Sequence, residues 1–312
     1  MSVSKKIPAT TLINGEVCSI AFHPLHYLQA QELEPEEGDI IQVSYPRTGT
    51  HLVQQLIQLI VNGGQSAQTL DEFTQRSPFL EIQGPQETSE APRLLRTHLP
   101  MNRLRLSRKA KYVYVARNPW DCCVSNFHLM RDFPAFRFAD GSFEDFLDVF
   151  LDGQSGFGDY FDHVISGHSR RHDANVFFVT YEDIVKDRAV VVLKLADFLG
   201  EGYGEMLRSN DKVMELILER SGVDFMREIF ESTLDDFCQV FKRELVPKDS
   251  VAERINATKK TKYNIVRKGA VGDWRSHFSQ ENMLKMQAKI DDAFKGTDIM
   301  SIWMREGICD ML

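Results

Sequence analysis

No run of 18 or more apolar residues occurs in the 312-residue chain, which excludes a membrane-spanning helix of the usual kind. Residues Met1 to Ile20 hold no continuous apolar stretch such as directs secretion, so a cytoplasmic location and small intracellular substrates are expected. Cysteine is scarce. Cys18, Cys122, Cys123, Cys238 and Cys309 are odd in number and show no C-x-x-C spacing, so neither a disulfide framework nor a zinc site is indicated. Five reduced thiols are the simplest expectation. No G-x-x-x-x-G-K-[ST] segment and no evident acidic Mg²⁺ motif is present, which argues against a nucleoside kinase or NTPase. Excess positive charge is also missing. A net charge of -8 argues against broad binding of nucleic acid or membrane surfaces, both anionic, yet leaves room for a local basic pocket.

Apolar content of 43% and charged content of 26% are ordinary for a globular protein. A chain of this length buries roughly three quarters of its unfolded surface and needs no staple. Neither an internal repeat nor a low-complexity linker interrupts it. One domain over residues 1–312, with its core at about 38–295, is therefore expected.

Gly38 to Tyr45 carries Ile40, Ile41 and Val43 between an acidic turn and Pro46, the pattern of a short buried strand. Residues 49–62 place apolar side chains at helical spacing and end at Asn62-Gly63-Gly64. Further strands are predicted at Arg93–Thr97, Lys111–Ala116 and Asn175–Thr180, and helices at 120–130, 187–199, 206–220, 223–242 and 279–294. Strands alternating with helices predict an α/β fold with a central parallel sheet flanked by helices. The polar stretch Pro247 to Lys262, with Lys248, Lys259 and Lys260, reads as a loop that covers a site.

Tyr45-Pro46-Arg47-Thr48-Gly49-Thr50-His51 joins the first of these strands to its helix. Such a turn aims unpaired backbone N–H groups and the positive helix end at one point, which suits an anion. Gly49 permits close backbone approach, Thr48 and Thr50 add hydroxyls, and Arg47 adds a forked cation. Taken alone, the same residues serve equally as a helix cap.

The loop does not stand alone. Y-P-R-T-G-T-H at 45–51 resembles the Y-P-K-S-G-T-T phosphosulfate loop of the cytosolic sulfotransferases, and R-T-H-L-P at 96–100 their K-T-H-L-P segment. Y-V-A-R-N-P-W-D at 114–121 with Ser125, T-Y-E-D at 180–183 and R-K-G-A-V-G-D-W at 267–274 follow in the family's order. The ordered set is far more specific than any one motif and spans roughly 38–295. The resemblance implies a single α/β domain with a P-loop-like strand-loop-helix. It implies 3′-phosphoadenosine 5′-phosphosulfate (PAPS) as donor, 3′-phosphoadenosine 5′-phosphate (PAP) as product, and no metal.

Carried over residue by residue, the resemblance makes His98 the general base, with Arg47 and Arg96 in place of two family lysines. Arg47 would meet the bridging oxygen of the donor and Arg96 the sulfuryl oxygens. An arginine keeps the charge but is a planar fork and a poor proton donor. Thr48, Gly49, Thr50 and His51 would hold the 5′-phosphate side, and Leu52 would give the nucleotide apolar contact. Arg117, Ser125, Arg267, Lys268 and Gly269 would hold the 3′-phosphate, while Tyr181, Ser221 and Val223 would frame the adenine. On the residues alone, Arg117 could instead pair with Asp121, and Arg267-Lys268 could be a solvated charge pair. His51 and Leu52 depart from a family threonine and a stacking tryptophan. Together with Arg47 they motivate an alternative, a PAPS/PAP-binding protein that transfers weakly or not at all. Trp274 is expected to pack and Asp273 to make structural hydrogen bonds.

Acceptor pockets of the family are apolar. Phe127, His128, Phe133, Phe136, Phe138 and Phe143, followed by Phe157, Tyr160 and Phe161, are candidates for lining one or for core packing. A phenol, alcohol, sterol or amine is the expected small-molecule acceptor. Gln280 and Leu284 break the family's dimer motif, while Arg275 and Ser279 keep charge and hydroxyl; a monomer or a non-standard homodimer is expected.

Overall fold

The chain opens with a hairpin that the periodicity analysis did not anticipate. β1 (Thr10–Ile13) and β2 (Glu16–Ser19) pair antiparallel. Asn14 and Gly15 turn it with φ of 53° and 83°, the two left-handed residues that a type I′ turn requires. Helix α1 (Pro24–Glu32) follows. This computed structural model describes residues 5–85, 92–233, 236 and 262–304.

The four expected strands form one sheet. β3 (Ile40–Ser44), β4 (Leu94–Thr97), β5 (Lys111–Ala116) and β6 (Val176–Thr180) lie in the order β4-β3-β5-β6, all parallel. Strand alternation divides their side chains between two cores. Ile40, Leu94, Val113, Val115 and Val179 face one cluster. There Val53, Leu56, Ile57 and Ile60 of α2 (Thr50–Val61) pack with Val192 and Leu195 of α9 (Arg188–Leu199). Ile41, Val43, Leu95, Tyr112 and Tyr114 face the other. There they meet α5 (Pro119–Asp132), α6 (Phe143–Leu151) and α7 (Tyr160–His168). Shorter helices α3 (Leu70–Arg76) and α4 (Leu80–Gln83) precede β4, and α8 (Tyr181–Lys186) follows β6. Helices on both faces and a fully parallel order are what the strand-helix alternation implies.

Two helices differ from expectation. The stretch 206–220 is split into α10 (Glu201–Ser209) and α11 (Asp211–Arg220). Asn210 is the break, because its side chain accepts from Val213 N–H and starts a new helix. The predicted helix 223–242 is interrupted: α12 spans Val223–Phe230, and β7 (Glu231–Thr233) then pairs with β8 (Lys262–Asn264), while 234, 235 and 237–242 lie outside the described residues. Phe230 is buried against Phe73 and His51, so a distant pairing overrides the local helical pattern. The polar stretch before Lys262 lies outside the described residues. Cys18, Cys122 and Cys123 are buried, unbridged thiols.

One carboxylate ties α5 to the glycine-rich segment near residue 270. Asp121 accepts from Gly272 N–H at 2.7 Å, from Trp274 N–H at 3.0 Å and from the Asn118 side-chain amide at 3.0 Å. Asp121 and Trp274 are both buried, so removing the acceptor strands donors away from water. Asp121→Ala should cost about 2–5 kcal/mol, read as a lower urea midpoint. Asp121→Asn, which keeps one acceptor, should lose less. An unchanged midpoint for Asp121→Ala would refute this role.

Candidate functional site

Each strand of the sheet ends at a residue singled out from the sequence. β3 leads into 45–49, β4 into His98, β5 into Arg117 and β6 into Tyr181. The carboxyl ends of a parallel sheet are where α/β folds place ligands. A cavity of about 430 Å³ opens there.

The loop after β3 is shaped by unusual backbone. Arg47 has φ 70° and Gly49 φ 111°. A left-handed non-glycine residue costs roughly 1–2 kcal/mol, here offset by contacts. Arg47 Nε donates to Ser125 Oγ at 3.0 Å, and the Arg47 carbonyl accepts from an Arg117 guanidinium N–H at 3.2 Å. Gly49 lies so close to Tyr181 that a Cβ would come within 2.9 Å of its ring. Gly49 is also the N-cap of α2, with no side-chain cap on the first turn, which leaves the positive helix end to the cavity. Thr50 lines the cavity, and its Oγ1 lies 2.9 Å from Ser44 Oγ. Thr48 turns inward, donating to the Tyr45 carbonyl at 2.7 Å.

Among the described residues, Arg47, Arg117, Arg188, Lys262, Arg267 and Lys268 line the cavity, against a single acid, Asp132. A chain of net charge -8 thus gathers cations at one place. Arg47 has its proton affinity lowered to about 10, by burial first and then by Arg117 and Arg267. Such repulsion in a buried site favours an anionic ligand. Arg117 and Arg267 each keep a buried guanidinium Nε with no hydrogen-bond partner among the described residues. Guanidinium N–H groups suit phosphate oxygens, so these residues fit a phosphate-bearing ligand. Both open alternatives for the cations are partly realised. Arg117 lies 3.9 Å from Asp121, and Asp273 pairs with Arg267 and with Lys268 at 2.6 Å each. The two cations hold the Asp273 carboxyl down to about 2 against the opposing effect of its burial. Asp273 therefore does more than make structural hydrogen bonds, since it steers the pair. Trp274 is buried and packs on Trp120.

Ser125, Tyr181, Ser221, Val223 and Gly269 complete one side. The Arg117 guanidinium sits 4.4 Å from the Tyr181 ring centre. Gly269, at φ 68°, lies where a Cβ would come within 2.5 Å of Val223, so the last motif is docked on the start of α12. His51 and Leu52 line the same cavity. His51 packs on Phe230 at 4.9 Å, and burial holds it well below the usual imidazole range, with Arg96 and Arg47 adding to that.

His98 faces the cavity. Its Nδ1 is 2.7 Å from the Ser44 carbonyl, which accepts only, so Nδ1 carries the hydrogen and Nε2 holds the lone pair. Burial lowers its proton affinity to about 4, with Arg96 adding to the effect and the Ser44 bond opposing it. Phe79 packs at 4.7 Å and Phe157 at 5.8 Å from the ring. Glu81, which sequence reasoning missed, positions the turn. One of its oxygens accepts from the His98 N–H at 2.7 Å, the Leu99 N–H at 2.9 Å and the Thr97 hydroxyl. No motif pointed to it, because its partners lie 16 to 18 residues away.

Arg96 is not brought to the cavity wall. The segment around Pro78 lies along the edge of β4, pairing Pro78 carbonyl with Arg96 N–H at 3.0 Å. It takes the guanidinium between Phe79 (4.2 Å) and Phe73 (5.0 Å), with Nε on the Ser77 carbonyl at 2.7 Å. Arg188 is the opposite case, a wall residue that no motif indicated.

The aromatic stretch divides. Phe133, Phe136 and Phe157 line the cavity with Phe22 and Phe79. Phe127, Phe138, Phe143, Tyr160 and Phe161 are core. His128 lines the cavity and, with His277 and Asp273, brings ligand-type atoms within 4.8 Å of one another. Its ring nitrogens are already engaged. Arg131 donates to His128 Nδ1 at 3.2 Å, so His128 Nε2–H donates to His277 Nε2 at 3.0 Å.

The chain matches the sulfotransferase domain model over residues 37–298. It is 30% identical over 263 residues to sulfotransferase 1C2 of Oryctolagus cuniculus, covering 80% of this chain and 81% of that protein. The amine sulfotransferase of the same species is 28% identical, covering 87% and 86%. Among solved structures, mouse sulfotransferase SULT7A1 complexed with PAP superposes with a TM-score of 0.70 at 24% identity, covering 97% of this chain and 99% of that one.

Buried neutral imidazoles make stability depend on pH. Below a pH of ~6.5 the unfolded chain protonates His98, whereas the folded chain does so only near about 4. Stability is therefore present above that window and lost as pH falls through it. His51, His128 and His163 are shifted the same way. Urea unfolding should show stability dropping from pH 7 to pH 5, and His98→Asn should remove on the order of 1–2 kcal/mol of that drop. An equal drop in the variant would contradict the assigned tautomer and burial.

Proposed function

The chain belongs to the cytosolic sulfotransferase family, and from this premise we propose that it transfers the sulfuryl group of PAPS in line to a hydroxyl or amine of a small, aromatic acceptor, with His98 as general base. Residues 1–312 act in this reading as one catalytic domain. The observation that carries it is the shared cavity. The lone pair of His98 Nε2 and the guanidinium groups of Arg47, Arg117 and Arg267 open into the same space.

When bound, PAPS supplies a sulfuryl group whose departure builds negative charge on the phosphate left behind. Arg47, Thr50 and the uncapped start of α2 hold that phosphate end and neutralise the charge. Arg117, Ser125 and Arg267, with Lys268, hold the 3′-phosphate, whose arrival competes with Asp273 for two of these cations. Tyr181, Ser221 and Val223 frame the adenine. Arg96 acts at one remove, stacking on the Phe79 ring that packs against His98. His98 Nε2 takes the acceptor proton while the Ser44 carbonyl steadies the imidazolium through Nδ1–H. A proton affinity near 4 is low for a base, and anionic charge bound beside the ring raises it. Phe22, Phe79, Phe133, Phe136 and Phe157 give the acceptor an apolar, aromatic berth.

Incubation with PAPS and a panel of phenols, catecholamines, sterols and alcohols, followed by mass detection of sulfated products, tests the proposal. His98→Ala should lower kcat by about 10²–10⁴-fold. PAP binding without any sulfated product would instead favour a binding protein. Arg47→Ala should lower turnover severely, and Arg47→Lys should retain or raise it, because a point charge keeps the neutralisation and can donate a proton. Equal rates for wild type and both variants would refute the assignment of Arg47.

A further inference from the structure

We propose that Arg188 is a nucleotide-binding residue whose guanidinium engages the adenine base, a proposal that rests on the donor reading above. Arg188 opens α9, seven residues after Tyr181, and shares the cavity wall with Tyr181, Ser221 and Val223. Nothing in the local structure accounts for a cation there. The first turn of a helix repels positive charge. The capping duty falls to Asp187, whose side chain accepts from Val190 N–H. No carboxylate among the described residues contributes to its electrostatics. It makes a long hydrogen bond to the Leu218 carbonyl at 3.4 Å, and its Nε is buried with no partner among the described residues. Burial lowers its proton affinity. A half-buried guanidinium on a cavity wall, without a carboxylate and with its Nε unmatched among the described residues, is a group poised for a ligand.

The base, rather than a phosphate, is the part of the ligand it fits. The Arg188 guanidinium reaches the Leu218 carbonyl at 3.4 Å, which also accepts from the Ser221 hydroxyl, and it interacts with Tyr181. The cation therefore lies beside Ser221 and Tyr181, the residues that frame the adenine in the donor reading. Leu52 supplies an apolar wall without a flat face. A guanidinium is planar, stacks on aromatic rings and carries donors in its own plane for a ring nitrogen.

Calorimetric titration of wild type, Arg188→Ala and Arg188→Lys with PAP and with ribose 3,5-bisphosphate, which lacks the base, tests this. Arg188→Ala should weaken PAP binding by about tenfold and leave binding of the base-free bisphosphate unchanged. Arg188→Lys should fail to restore PAP affinity. The melting temperature without ligand should stay level or rise, since a misplaced helix-end charge is removed. PAP affinity of Arg188→Ala within twofold of wild type overturns the proposal. So does equal weakening of PAP and the base-free bisphosphate, with or without rescue by lysine, which would mark a phosphate contact. If wild type itself binds no PAP, the donor reading falls and this proposal with it.

Discussion

Like charges held together out of water are the constraint around which this molecule is arranged. Arg47 sits at the end of a buried strand, in a left-handed conformation, with Arg117 and Arg267 near enough to lower its proton affinity. Left bare, such a group would drive its own side chains apart. Backbone carbonyls, the Ser125 hydroxyl and a few buried carboxylates restrain it. Asp121, 3.9 Å from Arg117, does this from α5, and Asp273, paired with Arg267, from the far segment. The guanidinium nitrogens that remain unpaired define the charge and shape of what can enter.

The parallel sheet turns that constraint into a site. Because β4, β3, β5 and β6 run the same way, their carboxyl ends lie side by side, and four segments distant in the chain deliver imidazole, loop, cation and aromatic ring to one cavity. The two cores on either face fix the strands, so the cavity inherits the rigidity of the sheet. His98 shows how far this preorganisation reaches. A carbonyl from the neighbouring strand sets its tautomer, and Glu81 clamps the turn that carries it.

The division between apolar and cationic walls gives the cavity its two ends. One end carries arginines and a helix start, the other phenylalanines packed against the imidazole. Under the proposed function, an ionic donor and an apolar acceptor meet at His98 without either being held in the other's environment.

The motifs 45–51, 96–100, 114–121, 180–183 and 267–274 were legible because each is local: a strand end, a turn and a helix start within a few residues. For the same reason the four parallel strands could be read from alternation and order, while the site residues came from the resemblance of these motifs to a known family. Tertiary structure decided what depends on partners far along the chain. It drew Arg96 between two phenylalanines instead of to the cavity, stopped α12 at Phe230 by pairing 231–233 with 262–264, and assigned five aromatics of one stretch to core. It also placed Glu81 and Arg188, whose surroundings come from other segments. A side chain's chemistry is written in its own residue, but its exposure, partners and charge state belong to whatever packs against it, and that is settled only when the chain closes.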